Sequence, residues 1–216
     1  MLANADKTFR EIWSKKAVRD RAKIIGKAAS LMLEQKEKFA RLATLEMGKR
    51  IGESRGEVEL SASILKYYAD NAETFLAPRP LKSIAGEAYI EYSPLGVLIG
   101  VQPWNYPYYQ LARFAAPHLA SGNVMLVKHA PGVPQCALAF EALFVEAGAP
   151  SGAYTNVFLS NDQVAKLINL LRWLVQFLAQ KHAMGYRYRE EAHRETWALA
   201  FSGRHRGPAF PGVPAW

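Results

Sequence analysis

Residues 95–107 read LGVLIGVQPWNYP, a nearly continuous apolar run that ends in a polar and aromatic turn between two prolines. An apolar run this short predicts a strand buried on both faces, as strands of parallel sheets are. Pro103 ends the strand because proline cannot donate a ladder hydrogen bond, and Pro107 suits the first turn of a helix. The stretch therefore predicts a strand, a tight turn and a helix, in that order.

The chain after this stretch repeats the alternation. Its pattern predicts a helix over residues 108–119, a strand over 123–128, a helix over 134–146 and a third strand over 154–158. Strands that alternate with helices at this spacing are typical of a right-handed parallel βαβαβ unit. Ligands of such sheets lie at the carboxyl ends of the strands, so residues 102–107 and 128–131 are the candidate binding segments.

The first 80 residues have a helical pattern. Apolar residues recur at spacings of three and four over residues 19–47 and 53–75, with Gly48 as a helix stop and Pro78 as a later one. An alternating strand is predicted over residues 86–94. We therefore predict an α/β fold: a helical part over 1–85, the strand at 86–94, and the parallel βαβαβ unit over 95–168.

Composition narrows the class of protein. The chain has 216 residues, of which 50% are hydrophobic, and a formal net charge of +8. Its longest apolar run is far shorter than the roughly 18–20 residues of a membrane-spanning helix, so we expect no membrane span. The N-terminus has no apolar signal-peptide core, so we expect a cytoplasmic protein. A single cysteine, Cys136, excludes an internal disulfide and a cysteine-built zinc site, and we predict no metal.

Residues 169–216 differ in composition from the rest. They hold seven Lys and Arg against three Glu and no Asp, and three of the five tryptophans. We interpret this segment as a divergent basic tail, and our hypothesis is that it arises from a frameshift. Residues 167–179 could form an interfacial or partner-binding helix, and an accidental helix is the alternative. Two short basic and aromatic clusters are weak evidence for nucleic-acid binding, so we expect no nucleic-acid partner.

Several motifs occur in order and at matching separations. The sequence PWNYP at 103–107, then Gly122-Asn123-Val124, then Lys128 at the end of a strand, resembles the aldehyde dehydrogenase superfamily. The KHAP of 128–131 and the LEMGK of 45–49 are most similar to its bacterial succinate-semialdehyde dehydrogenase branch. The resemblance covers residues 9–168, the N-terminal part of that family. It implies an incomplete, doubly wound Rossmann-like sheet, NAD or NADP as cofactor, and oxidation of a small aldehyde to the acid.

Two side chains in these motifs have candidate chemical roles. A neutral amide donor stabilises the negative charge that develops on a carbonyl oxygen, and the resemblance implies this role for Asn105. The alternative is that Asn105 caps the helix near Pro107. The resemblance implies that Lys128 binds the ribose of the cofactor. The alternative is a solvated lysine at the end of a strand.

The resemblance also implies a floor beneath the cofactor, made by Val101, Gln102, Pro103 and Trp104. Packing of Trp104 in the core is the alternative. Pro131 lies where relatives carry a residue that helps to choose between NAD and NADP. Because proline is neither a carboxylate nor a hydroxyl, that choice stays open, and the missing carboxylate favours tolerance of NADP.

Three further residues are of types that often have catalytic roles, but we expect them to be structural. Cys136 lies on an apolar predicted helix without a base beside it in sequence, so we expect a buried, inert thiol rather than a nucleophile. We expect His129 to be a surface histidine and Glu46 to pack between helices. The family's nucleophilic cysteine and general-base glutamate segments do not occur in the sequence, nor does a G-x-G-x-x-G loop.

Three functional classes follow. The first is the N-terminal part of an NAD(P)-dependent aldehyde dehydrogenase, inactive alone. The second is a non-catalytic partner that forms a homo-oligomer or pairs with a full-length relative through residues 86–94, an oligomerisation strand in the family. The third is a basic interaction protein that acts through its tail. We also expect an exposed sheet edge and low solubility of the isolated chain.

Overall fold

The N-terminal part of the protein is helical, as predicted. The computed structural model describes residues 1–82, 84, 86, 88–160 and 162–166, and the backbone of 197–201. The helices before the sheet are α1 (Leu2–Thr8), which continues into a π-helical turn (Phe9–Trp13), α2 (Val18–Glu34), α3 (Lys36–Met47) and α4 (Ile51–Leu76). Gly48 ends α3 in the left-handed region, at φ 78°, where glycine has no Cβ to clash.

Strands and helices alternate in the rest of the described chain. In order they are β1 (Arg79–Leu81), β2 (Ala88–Ile90), β3 (Val97–Val101), α5 (Pro107–Ala120), β4 (Val124–Lys128), α6 (Pro134–Glu146), β5 (Tyr154–Asn156) and β6 (Trp197–Phe201). The predicted strand at 86–94 is shorter than expected. Its antiparallel partner β1 was missed because Pro80 argues against a strand, although proline is tolerated in an edge strand such as this one.

The main sheet has four parallel strands in the order β5-β4-β3-β6. The predicted α/β class and the parallel arrangement of β3, β4 and β5 are confirmed. β6 comes from the basic tail and pairs with β3 along its whole length, from Val97↔Trp197 to Val101↔Phe201. β6 therefore satisfies the ladder hydrogen bonds of β3, and the edges of the sheet among the described strands are β5 and β6.

β3 and α5 approach each other closely at Gly100. A Cβ on Gly100 would lie 2.6 Å from Cε1 of Phe114, closer than atoms in a packed core come. Phe114 is buried, so it has little room to move. The glycine therefore lets the helix that follows β3 lie directly on the strand.

The C-terminal end of α5 is anchored to the N-terminal helices. Nε of Arg21 donates to the carbonyl oxygen of Ala120 over 2.9 Å, and Nε1 of Trp13 donates to that of Leu119 over 3.2 Å. A cation at a helix C-terminus also interacts favourably with the helix dipole. α5 is thus held against the helical part of the protein at the end far from its proline-bracketed turn.

No helix within the described part of the chain is both long and apolar enough to span a membrane. The predicted helix at 167–179 and the basic and aromatic clusters of the tail lie outside the described residues.

Candidate active site

The carboxyl ends of the sheet strands lie side by side. Val101 at the end of β3 is the register partner of Lys128 at the end of β4, and also of Phe201 at the end of β6. The pairing continues one residue beyond β3, since the backbone nitrogen of Gln102 donates to the carbonyl oxygen of Lys128 over 3.0 Å. The two segments singled out from the sequence therefore begin in direct contact.

Lys128 is buried without a partner. The residue is only 7% exposed, and among the described residues its ammonium makes no hydrogen bond or ion pair. Packing most of a lysine side chain inside a protein partly desolvates its charge, and an acceptor would offset that cost.

Asn105 lies on an exposed turn between Trp104 and Tyr106. Within the described residues its carboxamide makes no hydrogen bond, and the N-cap position of α5 is Tyr106. The backbone N–H groups of Tyr108 and Tyr109 instead donate to the carboxylate of Glu57, over 2.8 and 3.2 Å. The alternative that Asn105 serves as a helix cap is therefore wrong.

The remaining predicted floor residues differ in burial. Gln102 is buried, Val101 and Pro103 are partly buried, and Trp104 is 56% exposed, so Trp104 does not pack in the core. Pro131 is exposed, in a turn that the N–H of Val133 closes by donating to Ala130 over 3.2 Å.

The expectation for His129 is wrong, because this residue is buried and bridges two elements. Its Nδ1 accepts the N–H of Ala130 over 2.9 Å, so the neutral ring carries its proton on Nε2, which donates to the carbonyl oxygen of Pro107 over 3.1 Å. Burial lowers the pKa of His129, and the neighbouring Lys128 charge lowers it further. The ring therefore stays neutral at pH 7 and joins the end of β4 to the start of α5.

Two glutamates that sequence reasoning did not assign to the site bind the N-termini of both crossover helices. Glu57 binds α5, as described above. Glu46 binds α6, accepting the N–H groups of Gln135 over 2.7 Å and of Cys136 over 2.8 Å. Free N–H groups and the helix dipole make such termini anion sites, and here internal carboxylates fill them. Neither glutamate is adjacent in sequence to the helix that it caps, so no local pattern indicates the contact.

Asn156 was also missed. It ends β5, is 4% exposed, and neither polar atom of its side chain has a hydrogen-bond partner among the described residues. It pairs in register with Val127 rather than with Lys128, so its side chain lies on the other face of the sheet from that of Lys128. The structure therefore does not bring these two polar groups together.

Comparison with known proteins identifies the family. A sequence model of the Aldehyde dehydrogenase family matches residues 1–170. The chain belongs to the aldehyde dehydrogenase family. This match confirms the resemblance drawn from the motifs at residues 45–49, 103–107 and 128–131.

The relatives of this aldehyde dehydrogenase chain include enzymes named for one substrate. It is 49% identical over 168 residues to an NADP(+) succinate-semialdehyde dehydrogenase of Deinococcus radiodurans, a match that covers 78% of this chain and 35% of that protein. It is 36% identical over 197 residues to an aldehyde dehydrogenase of Paenarthrobacter nicotinovorans, with 89% and 43% covered. The chain therefore spans less than half the length of these relatives.

A solved structure agrees in fold. Succinic semialdehyde dehydrogenase of Streptococcus pyogenes, in complex with NADP+, superposes with a TM-score of 0.74 at 40% identity, and the match covers 77% of this chain and 37% of that one. The predicted Rossmann-like character of the aldehyde dehydrogenase sheet is thereby confirmed.

Cys136 does not have the surroundings of an aldehyde dehydrogenase nucleophile. The residue is fully buried, and burial raises the pKa of its thiol. A reactive cysteine needs a stabilised thiolate and access to substrate, and this environment provides neither. The expectation of a buried cysteine is confirmed.

Proposed function

We propose that this chain supplies the cofactor-facing edge and the oxyanion donor of an NAD(P)-dependent aldehyde dehydrogenase. The observation that carries the proposal is Lys128, a residue only 7% exposed whose ammonium has no hydrogen-bond or ion-pair partner among the described residues. Its backbone is bonded to the first residue of the Asn105 turn. Family membership supports it, because relatives of this chain are named as NADP(+) succinate-semialdehyde dehydrogenases.

Lys128 is proposed to bind the ribose of the cofactor. An ammonium has three donors, which suits ribose hydroxyls, and its charge suits a 2'-phosphate. The ligand would provide the acceptors that Lys128 lacks among the described residues. Pro131 next to this position adds no carboxylate that would repel a 2'-phosphate, so we propose that NADP is accepted as well as NAD.

Asn105 is proposed to stabilise negative charge on the substrate oxygen. Its exposed carboxamide has a free donor, and an amide keeps this donor over a wide pH range. Val101, Gln102, Pro103 and Trp104 are proposed to form the floor beneath the nicotinamide part of the cofactor. The bound cofactor would accept a hydride from the substrate. These residues would bind and orient the cofactor and the substrate.

We propose that the nucleophile and general base of this reaction are not among the described residues. The sequence has no cysteine besides Cys136, and that thiol is buried. We therefore propose that the chain binds the cofactor but does not oxidise aldehydes alone. We further propose succinate semialdehyde as the substrate of the complete enzyme and a cytoplasmic location, where a free thiol persists.

Titration of the chain with NADPH and NADH, followed by nucleotide fluorescence, tests this proposal. We expect saturable binding that Lys128→Met weakens, and no NADPH formation from NADP with succinate semialdehyde. Binding that is unaffected by Lys128→Met would overturn the assigned cofactor site. Sustained aldehyde-dependent turnover by the purified chain would overturn the proposed inactivity.

The hairpin of β1 and β2 favours a second candidate, a non-catalytic partner subunit. Leu81 and Tyr89 on the two strands and Tyr92 after them are 48%, 58% and 55% exposed. Exposed apolar side chains on a protruding hairpin suit pairing with another subunit. Co-expression with a full-length relative tests this candidate: we expect co-purification, and its loss after Tyr89→Lys. A complex that survives this substitution would count against the hairpin as the interface.

The origin of the tail from residue 169 stays a proposal. Two findings count against the frameshift hypothesis. β6 of the tail joins the sheet, and the match to the Paenarthrobacter protein covers 89% of the chain, more than residues 1–168 make up. Sequencing the gene from related strains tests the hypothesis, because a continuous reading frame that encodes the same tail would refute it.

A further inference from the structure

The start of α5, directly after the Asn105 turn, is held by a carboxylate from another helix. Glu57 of α4 is 3% exposed, and its Oε1 accepts the N–H groups of Tyr108 and Tyr109 over 2.8 and 3.2 Å. A carboxylate at a helix N-terminus satisfies free donors and interacts favourably with the helix dipole. The backbone three residues after Asn105 is thereby fixed to the helical part of the protein.

The second oxygen of Glu57 is bound by Lys49. The side chains of Lys49 and Glu57 are 7% and 1% exposed, and the ammonium contacts Oε2 of the carboxylate. The same ammonium lies 3.7 Å from the centre of the Tyr106 ring, a cation–π contact.

No described side chain or backbone group holds the Asn105 carboxamide directly. Its carboxamide makes no hydrogen bond among the described residues, yet a donor must be preorganised to stabilise charge in a transition state. The backbone before it is fixed where Gln102 binds Lys128, and the backbone after it is fixed where Lys49 and Glu57 hold Tyr106 and Tyr108. The orientation of Asn105 is therefore set by these two anchors.

We propose that Lys49 and Glu57 are positioning residues, a buried ion pair that holds the Asn105 turn in the geometry its proposed oxyanion role requires. This inference rests on the proposed function of Asn105. Glu57 also fills the N-terminus of α5 with its own carboxylate, so a phosphate of the cofactor cannot use that terminus.

Glu46 provides a matched control. It caps α6 through two backbone N–H groups, as Glu57 caps α5, but it makes no hydrogen bond to the turn or to α5 and acts on Tyr108 and His129 only through its charge. Glu46→Gln and Glu57→Gln therefore weaken equivalent caps. Only the Glu57 change disturbs Lys49 and Tyr106, because the new amide nitrogen faces the ammonium.

The test uses the full chain with 5-fluorotryptophan, and the Trp104 fluorine resonance is assigned with Trp104→Phe. We expect Glu57→Gln and Lys49→Met to shift or broaden this resonance, Lys49→Arg to restore it in part, and Glu46→Gln to leave it unchanged. A resonance that is unchanged in both Glu57→Gln and Lys49→Met, or moved equally by Glu46→Gln, would overturn the proposal.

A measurement on the unsubstituted chain tests the proposal even if the variants do not fold. Protons next to an ammonium that lies over a ring are shielded, so the ε-methylene signals of Lys49 are expected upfield of those of the other lysines. Their absence from the shielded region would overturn the proposal. NADPH binding is recorded in parallel. The proposed function is refuted if Lys128→Met binds NADPH as tightly as the original chain, whereas the Trp104 signal reports only on the positioning pair.

Discussion

Val101 and Lys128 are register partners at the ends of β3 and β4, so their side chains project from the same face of the sheet. Gly100, one residue earlier, faces Phe114 of α5. Because successive residues of a strand alternate between faces, Lys128 lies on the face opposite α5. The ammonium is therefore kept away from the N-terminus of α5 and from Glu57, the carboxylate bound there.

Replacing Lys128 with methionine is expected to affect stability and binding in opposite directions. Methionine keeps most of the volume and removes a partly desolvated charge that has no partner among the described residues, so the free energy of unfolding should rise, by at most about 1 kcal/mol. NADPH binding should weaken about tenfold, equivalent to about 1.4 kcal/mol. Urea denaturation and nucleotide fluorescence measure the two effects.

Lys27→Met on the exposed face of α2 is the control for this change. It removes the same charge at a solvated position, so both stability and NADPH binding should stay nearly constant. A Lys128→Met chain that is less stable than the original would mean that the ammonium has a stabilising partner.

Gly100→Ala is expected to destabilise the chain by about 1–3 kcal/mol, because the new methyl group overlaps Phe114 and forces the packed helix to shift. Thermal or urea unfolding measures the loss. Combining it with Phe114→Leu should recover part of the stability, since the smaller side chain makes room.

Gly56→Ala is the matched control, because a Cβ at Gly56 in α4 meets nothing within 4 Å. Alanine is the better helix former there and should stabilise by roughly 1 kcal/mol. Equal destabilisation by both substitutions would contradict the argument from close packing at Gly100.

The strands and helices from residue 95 onward could be predicted because each is marked locally. Pro107 begins α5 and Pro134 begins α6, and the strand between them, β4, is apolar up to its last residue, Lys128. β6 was missed because its segment lies in a tail interpreted from composition, and only its pairing with β3 makes it a strand. Local signals therefore predicted the parallel unit but not its fourth strand.

The residues of the candidate site also fall into two groups, those that the sequence marks locally and those that it does not. Lys128 and Asn105 could be found because strand ends and motifs mark them. The cap from Glu57 to Tyr108 and the bridge from His129 to Pro107 join residues 51 and 22 positions apart. Contacts across such distances depend on tertiary packing, so composition and periodicity do not indicate them.

Cys136 is expected to be inert in the folded chain. Burial raises the pKa of its thiol, and the residue is not accessible. Reaction with a thiol reagent at pH 8 should therefore be on the order of a hundredfold slower than in urea, since it requires local opening. Cys136→Ser gives the background rate, and rapid labelling of the native chain would contradict the buried position.

His129 is expected to make stability fall as the pH drops below about 6.5. Burial lowers its pKa in the folded state, Lys128 lowers it further, and Glu46 and the backbone acceptors oppose this in part. Below the ordinary value of 6.5 the unfolded chain binds a proton that the folded chain does not, so the free energy of unfolding falls with falling pH, by at most about 1.4 kcal/mol per unit for one group.

Urea unfolding of the original chain and of His129→Gln between pH 7.5 and 5.5 measures this dependence. Glutamine can still donate to Pro107 but does not titrate, so the variant should show a shallower slope whatever its stability at pH 7.5. His118 also has a pKa lowered by burial, so part of the slope should persist in His129→Gln and become smaller in the double variant. Parallel slopes for the original chain and His129→Gln would mean that His129 takes up its proton as readily in the folded state as in the unfolded state.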